Sequence, residues 1–193
     1  MNPCLIFGEM LSSNINTSSG VILNYLNGFN KYKKSNTIPN CTKCIVDVYD
    51  VALAHILAYE KGLINANVWN KRYLLVGGCP SYTEMVGILR DWSSLQSNST
   101  ILHNNLPTAM DATIGTPALG TNPPNVTLYD CTRAETLLGI QFRTPKEMII
   151  GTSLSLLKHG HLSNDAMIVD GNVTRSIVLV TVTSFIALAS MCF

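Results

Sequence analysis

The chain has 193 residues, of which 47 % are hydrophobic and 13 % charged. That is about half the charge of an average globular chain, so charge-driven disorder is excluded, and the length suits one domain with a modest addition. Thirteen Lys and Arg against twelve Asp and Glu leave a net charge of +1, which offers no electrostatic footprint for nucleic acid.

Asn2 to Phe7 is a short apolar run closed by Gly8, with the length and look of a strand buried in a parallel sheet. Ser18 to Asn27 places Val21, Ile22, Tyr25 and Leu26 on one helical face and stops at Gly28. Phe29 to Lys43 is polar and turn-rich; Lys31, Lys33 and Lys34 read there as a solvated loop rather than a basic binding patch. Ile45 to Val48 reads as a strand that passes into a helix carrying Val51, Ala54, His55, Ala58 and Tyr59 and ending at Gly62. Asp47 and Asp50 are suited to stabilise that helix start, and His55 reads as a satisfied core or interface side chain.

Arg72 to Val76 is a second apolar run, and Ser81 with Glu84 three residues on is a capping box for a helix through Met85, Ile88, Leu89 and Trp92. Ser93 to Val126 is rich in Ser, Asn, Thr, Pro and Gly and exceeds ordinary loop length, which points to a functional or flexible segment. Thr132 to Leu138 reads as a short helix stopped by Gly139. Thr144, Pro145 and Glu147 then supply an N-cap, a first-turn proline and an acidic third residue for a helix reaching His159-Gly160. Residues 161–175 read as a linker. Residues 176–193 carry no charge and are long enough at the short end of the range for a membrane span, so a tail anchor is weighed against a buried C-terminal segment.

Six cysteines without a preceding secretory signal are read as reduced, and the Asn-x-Ser/Thr triplets as chance. Cys41-Thr42-Lys43-Cys44 is a single C-x-x-C; a zinc site needs a second pair, so a thiol or metal role is a minor alternative. His159-Gly160-His161 is explained by a helix C-terminus more simply than by a metal. The chain holds neither G-x-G-x-x-G nor G-x-x-x-x-G-K-[ST], neither G-x-S-x-G nor H-E-x-x-H.

The succession Asn2-Pro3-Cys4-Leu5-Ile6-Phe7-Gly8, Asn16-Thr17-Ser18-Ser19, Ile45-Val46-Asp47-Val48-Tyr49-Asp50-Val51-Ala52-Leu53-Ala54-His55 and Arg72-Tyr73-Leu74-Leu75-Val76 resembles the C-terminal half of the extended short-chain dehydrogenase/reductases. The branch it is most similar to is the dihydroflavonol reductase, cinnamoyl-CoA reductase and methylglyoxal reductase group. Leu137-Leu138-Gly139-Ile140 with Phe142 and the Pro145 helix resembles that group's ending, so the likeness covers residues 2 to 160.

The resemblance implies an α/β chain: the C-terminal part of a Rossmann-like NAD(P)-binding fold with a small α+β substrate domain over residues 1–160, followed by the linker and the hydrophobic tail. It implies NADP(H) as cofactor and a small carbonyl compound as substrate. Pro3 would lie against the nicotinamide, the backbone at Ile6 near its carboxamide, and Ser18 or Ser19 at the phosphates. Leu11 to Asn16 and Ser93 to Val126 would wall the substrate pocket. Glu9 stands where the family often has proline.

The family's Gly-rich fingerprint and its Tyr-x-x-x-Lys pair fall outside the matching segments, and none of the seven tyrosines is followed four residues on by Lys. No catalytic residue is therefore assigned, and the chain alone is expected to be inactive and to need a missing N-terminal half. The expectation is a cytoplasmic carbonyl-reductase portion, with a membrane-tethered, non-catalytic interaction protein as the alternative.

Overall fold

The computed structural model describes residues 1–28, 37–96, 106–111 and 129–162. In chain order these form β1 (Asn2–Pro3), β2 (Leu5–Phe7), α1 (Thr17–Leu26), β3 (Thr37–Pro39), β4 (Ile45–Asp47), α2 (Val48–Ile64), β5 (Leu74–Leu75), α3 (Tyr82–Ser94), β6 (Ala109–Asp111) and α4 (Pro145–Lys158). A 3-10 turn spans Ala66–Val68 and a π-type turn spans Ala134–Leu138. The strands alternate with helices, and the result is an α/β fold that resembles part of a Rossmann-type dinucleotide-binding fold with a small substrate subdomain.

All described strand pairings are parallel: β1 with β5, β2 with β4 and β3 with β6. The run from Asn2 to Phe7 changes partner midway. Cys4 N–H donates to Leu75 O on β5 (3.2 Å), and the next residue, Leu5, donates to Cys44 O at the start of β4 (3.3 Å). Ile45 is paired with Leu5 and also bridges Gly78, so β4 is wedged between β2 and the chain leaving β5.

Because side chains alternate across a strand, this wedge separates two hydrophobic clusters. Leu5, Phe7 and Ile45 face one, built with Ile22 and Leu26 of α1, Leu89 of α3 and Met148 of α4. Ile6 and Val46 face the other, built with Ala54 of α2, Leu75 and Leu138. Helices thus cover both faces, which is what a short apolar parallel strand requires.

The helix starts follow their local chemistry. Ser81 and Thr144 form reciprocal capping boxes with Glu84 and Glu147, and Asp47 caps α2 by accepting from Tyr49 N–H (2.8 Å). Asp50 does not cap. It is buried and accepts from the backbone N–H of Arg143 (2.8 Å) and from that residue's guanidinium, 93 residues away in sequence. Of the two readings for His55, core or interface, the core one is overturned: the side chain is exposed, with Nδ1 2.8 Å from Val51 O.

Two further expectations are corrected. Among the described residues no helix is long and apolar enough to cross a membrane; the longest, the 17-residue α2, carries Asp50, Glu60 and Lys61. The residues 176–193 on which the span and the tethered-protein alternative rest lie outside the described residues, as do Lys31, Lys33, Lys34 and most of Ser93 to Val126. The cysteines are not all reduced: Cys44 is disulfide-bonded to Cys79, and Cys41 of the C-x-x-C is free.

Candidate functional site

A cavity of about 290 Å³ opens where β2 ends, between the first turn of α1, Val48 at the start of α2 and Thr152 of α4. Its floor is the turn after Phe7. Gly8 sits there at φ +110°, in the region that favours glycine, and a Cβ on it would lie 2.7 Å from Asp47 Oδ2. Among the described residues the segment that follows has no strand partner for its backbone. Hydroxyls of α4 serve instead: Gly8 N–H donates to Thr152 Oγ1 and Met10 N–H to Ser155 Oγ, both at 2.8 Å, while Met10 O lies 3.0 Å from His159 Nε2. Thr152, Ser155 and His159 recur at helical spacing along α4, so one polar stripe of that helix shapes the turn.

Asp47 is buried beneath Gly8, and burial pushes its carboxyl above the usual carboxylate range, against its bond from Tyr49 N–H and the nearby Arg143, whose Nη1 is 3.9 Å from Asp47 Oδ1. At the rim stands Glu9. It accepts from Tyr49 Oη (2.9 Å) and pairs with Lys158 Nζ (3.3 Å), and these two contacts hold its carboxyl below its ordinary value. Tyr49 in turn lies under the Arg143 guanidinium, 5.3 Å from ring centroid to Cζ. One chain of charges and rings therefore runs from Lys158 through Glu9, Tyr49 and Arg143 to Asp50.

Of the residues singled out from sequence, Ile6 and Ser19 line the cavity; Pro3, exposed on β1, and Ser18, buried in the first turn of α1, do not. Ser19 works locally: its Oγ donates to Asn16 Oδ1 (2.7 Å) and its N–H to the same oxygen (2.8 Å), which caps α1 at the cavity edge. From Leu11 to Asn16, the segment the resemblance places at the substrate pocket, Leu11, Ser12, Asn14 and Asn16 line the cavity. Glu9 and Thr152 were not anticipated as site residues; the signal for Thr152 was a polar stripe on the buried side of a helix. Among the described residues no group of three or more His, Cys, Asp or Glu is placed to hold a metal.

The class this fold defines is the Rossmann-type α/β folds, here in part and with a small substrate subdomain. No family model matches the chain. Individual relatives do: it is 33 % identical over 166 residues to the cinnamoyl-CoA reductase CAD2 of Medicago truncatula, covering 85 % of this chain and 42 % of that protein. It is 32 % identical over 164 residues to cinnamoyl-CoA reductase 1 of Arabidopsis thaliana, covering 84 % and 40 %. Gre2 from Candida albicans shares the fold at a TM-score of 0.56 and 23 % identity, over 82 % of this chain and 43 % of that one. The yeast methylglyoxal/isovaleraldehyde reductase Gre2, solved with NADPH, does so at 0.54 and 23 %, over 80 % and 44 %.

The chain is thus similar in sequence to cinnamoyl-CoA reductases and in fold to the two Gre2 structures. It spans about two fifths of the length of the curated relatives it matches.

Proposed function

We propose that this chain forms the substrate-facing wall and one side of the coenzyme cleft of an NADP(H)-dependent reductase that converts an aldehyde or ketone to an alcohol. The nucleotide grip and the proton-transferring groups come, in this reading, from outside these 193 residues. The observation that carries it is the placement of the cavity: an apolar pocket at the carboxyl end of β2, beside the first turn of α1, where open α/β sheets bind their ligands.

The residues present fit one end of the coenzyme. At about 290 Å³ the cavity is at the lower edge of ligand sites, roughly 300 to 1,000 Å³, which suits a nicotinamide ring or a small carbonyl compound and not a whole dinucleotide. Ile6 would hold the nicotinamide end from within the cavity, and Pro3 would meet it only from β1, outside the lining. Ser18 and Ser19 would present the first turn of α1 to phosphate; since the Ser19 hydroxyl and N–H are both committed to Asn16, the Ser18 backbone N–H would make that contact. When bound, NADP(H) supplies the hydride. The chain's own part is to exclude water through Ile6, Phe7 and Val48 and to keep the Gly8 turn rigid under the reacting carbonyl.

Among the described residues the strands pair two by two, and parallel strands are ordinarily embedded in wider sheets, which supports a cleft completed from elsewhere. The test is titration of NADPH into the purified chain, followed by fluorescence, with coenzyme oxidation measured in the presence of simple aldehydes. The chain alone is expected to do neither. Fused behind the N-terminal part of the Medicago truncatula relative, it is expected to do both. Turnover by the chain alone, or a folded fusion that does not bind NADPH, overturns the reading.

A further inference from the structure

Residues 41–45 and 78–82 run antiparallel as a narrow ribbon that leads into the first residue of β4. Its rungs are Tyr82 N–H to Cys41 O (3.0 Å), Lys43 N–H to Pro80 O (3.0 Å) and Ile45 N–H to Gly78 O (2.8 Å), with bridges at Thr42 and Ser81 and at Ile45 and Gly78. In this register Cys44 stands opposite Cys79, between two hydrogen-bonded rungs, where side chains across an antiparallel pair come closest. The pair is closed as a disulfide across 35 residues of sequence. Cys41 faces Tyr82 instead, so the C-x-x-C in the sequence is not the pair the fold selects.

The position of the disulfide gives it reach. Cys44 immediately precedes Ile45, the first residue of β4, and β4 is only three residues long before it delivers Asp47 beneath Gly8. On the other side, Cys79 is two residues before Ser81, the N-cap of α3. Pro80 has no N–H to donate, so the ribbon between these points is poor in backbone hydrogen bonds, and a two-stranded ribbon in water is marginal without a further tie. Both cysteines are half-buried rather than sealed in the core, which leaves the bond open to exchange.

We propose that Cys44 and Cys79 form a reversible redox clasp, a modification site for a dithiol reductant, whose opening loosens β4 and with it the cavity floor. A thiolate of the reductant attacks one sulfur of the pair, the other cysteine leaves as thiolate, and the reductant's second thiol resolves the mixed disulfide. The dithiol is oxidised to its disulfide, and two electrons and two protons pass to Cys44 and Cys79. Cys41 is a bystander: burial raises its thiol, which keeps it protonated near neutral pH. Neither clasp residue lines the cavity, so the device is separate from the reductase reading.

The test uses the intact chain with dithiothreitol as the probe. Peptide mapping without reductant should recover Cys44 cross-linked to Cys79, and mild reduction followed by alkylation should label those two while Cys131 stays unlabelled. Amide hydrogen exchange at Lys43, Ile45 and Tyr49 should then accelerate by about tenfold or more and return to its starting rate on reoxidation. The Cys41→Ser variant should keep the whole response, and Cys44→Ser should lack it. Should Cys44→Ser not fold, the wild-type and Cys41→Ser titrations decide alone. A map showing Cys41 joined to Cys44, free thiols at Cys44 and Cys79, or exchange at Ile45 and Tyr49 unmoved by reduction would each overturn the proposal.

Discussion

Replacing Asp50 tests the long-range link that fixes α4 against α2. Asp50 is 1 % exposed and accepts two hydrogen bonds, one from the Arg143 backbone N–H and one from its guanidinium. Hydrogen bonds to a charged group are each worth about 1.5 to 3 kcal/mol. The guanidinium bond falls at the low end here, because the Arg143 side chain is 43 % exposed and solvent screens it. Asp50→Asn keeps one acceptor for the backbone N–H and loses the charge, so about 1.5 kcal/mol of stability should go. Asp50→Ala also strands the N–H in a dry site and should cost about 3 kcal/mol. Arg143→Met should match the alanine variant, since it leaves a buried carboxylate short of a partner. The double variant Asp50→Asn with Arg143→Met should then cost about 1 kcal/mol less than the two single changes added together. Urea denaturation followed by circular dichroism reads all four. An Asp50→Asn variant within 0.5 kcal/mol of wild type, about the size of an ordinary surface substitution, would refute the assignment of Asp50 as a structural anchor.

Gly8→Ala should destabilise by about 1 to 3 kcal/mol, since it combines φ +110° with a Cβ only 2.7 Å from Asp47 Oδ2; a neutral result in thermal melts would mean that the turn relaxes freely. Asp47→Asn preserves the cap but removes an ionisation that burial disfavours. A carboxyl raised in the folded state contributes stability that is full below its unfolded pKa and is lost as pH rises through the folded value, so the variant should gain on wild type across the carboxylate range; a pH-independent gap in melting temperature would contradict this. Burial pushes the Cys4 thiol up to about 11. Its alkylation by iodoacetamide at neutral pH should therefore run about a hundredfold or more below that of the urea-unfolded chain, as mass spectrometry would show. Thr144→Ala opens the capping box of α4 and should cost about 1 kcal/mol in the same urea assay, whereas Thr144→Ser should cost little.

What the sequence made legible was local. The capping boxes at Ser81 and Thr144 are complete within four residues, so their chemistry is written where it acts, and the helices they start lie as expected. The apolar runs at Leu5 and Ile45 announced buried strands, but nothing in them says that one run changes partner at Cys4 and Leu5, because that depends on where β4 is inserted. The parallel pairing of β3 with β6 joins segments read as loops, and short strands without clear alternation carry no periodic signal. Asp50 was read as a helix-start charge because its neighbours are sequence neighbours; its true partner is 93 residues away. Cys41 and Cys44 drew attention by spacing, while the register that selects Cys79 exists only in the folded chain. Among the cavity-lining residues, Ile6 and Ser19 are two that the family resemblance points to for coenzyme binding, whereas Glu9 was noticed only as a departure, and its partners Tyr49 and Lys158 depend on the packing of α2 and α4.

The cavity and the stability of the fold are not independent. Residues 8–10 take their shape from hydroxyls on α4, and α4 is tied to the start of α2 by Arg143, which reaches Asp50 and Asp47 from just before the Thr144 cap. The same guanidinium lies over Tyr49, which holds Glu9 at the rim. A side chain outside the cavity lining therefore bears on its floor through Asp47 and on its rim through Tyr49. Because the strands are too short to rigidify the turn by backbone pairing, these side-chain bonds substitute for a sheet edge. It follows that variants at Asp50 and Arg143 should alter hydrogen exchange at Gly8 and Met10 before they unfold the chain, while a comparable loss at the remote Ser81 cap should lower stability without moving those amides.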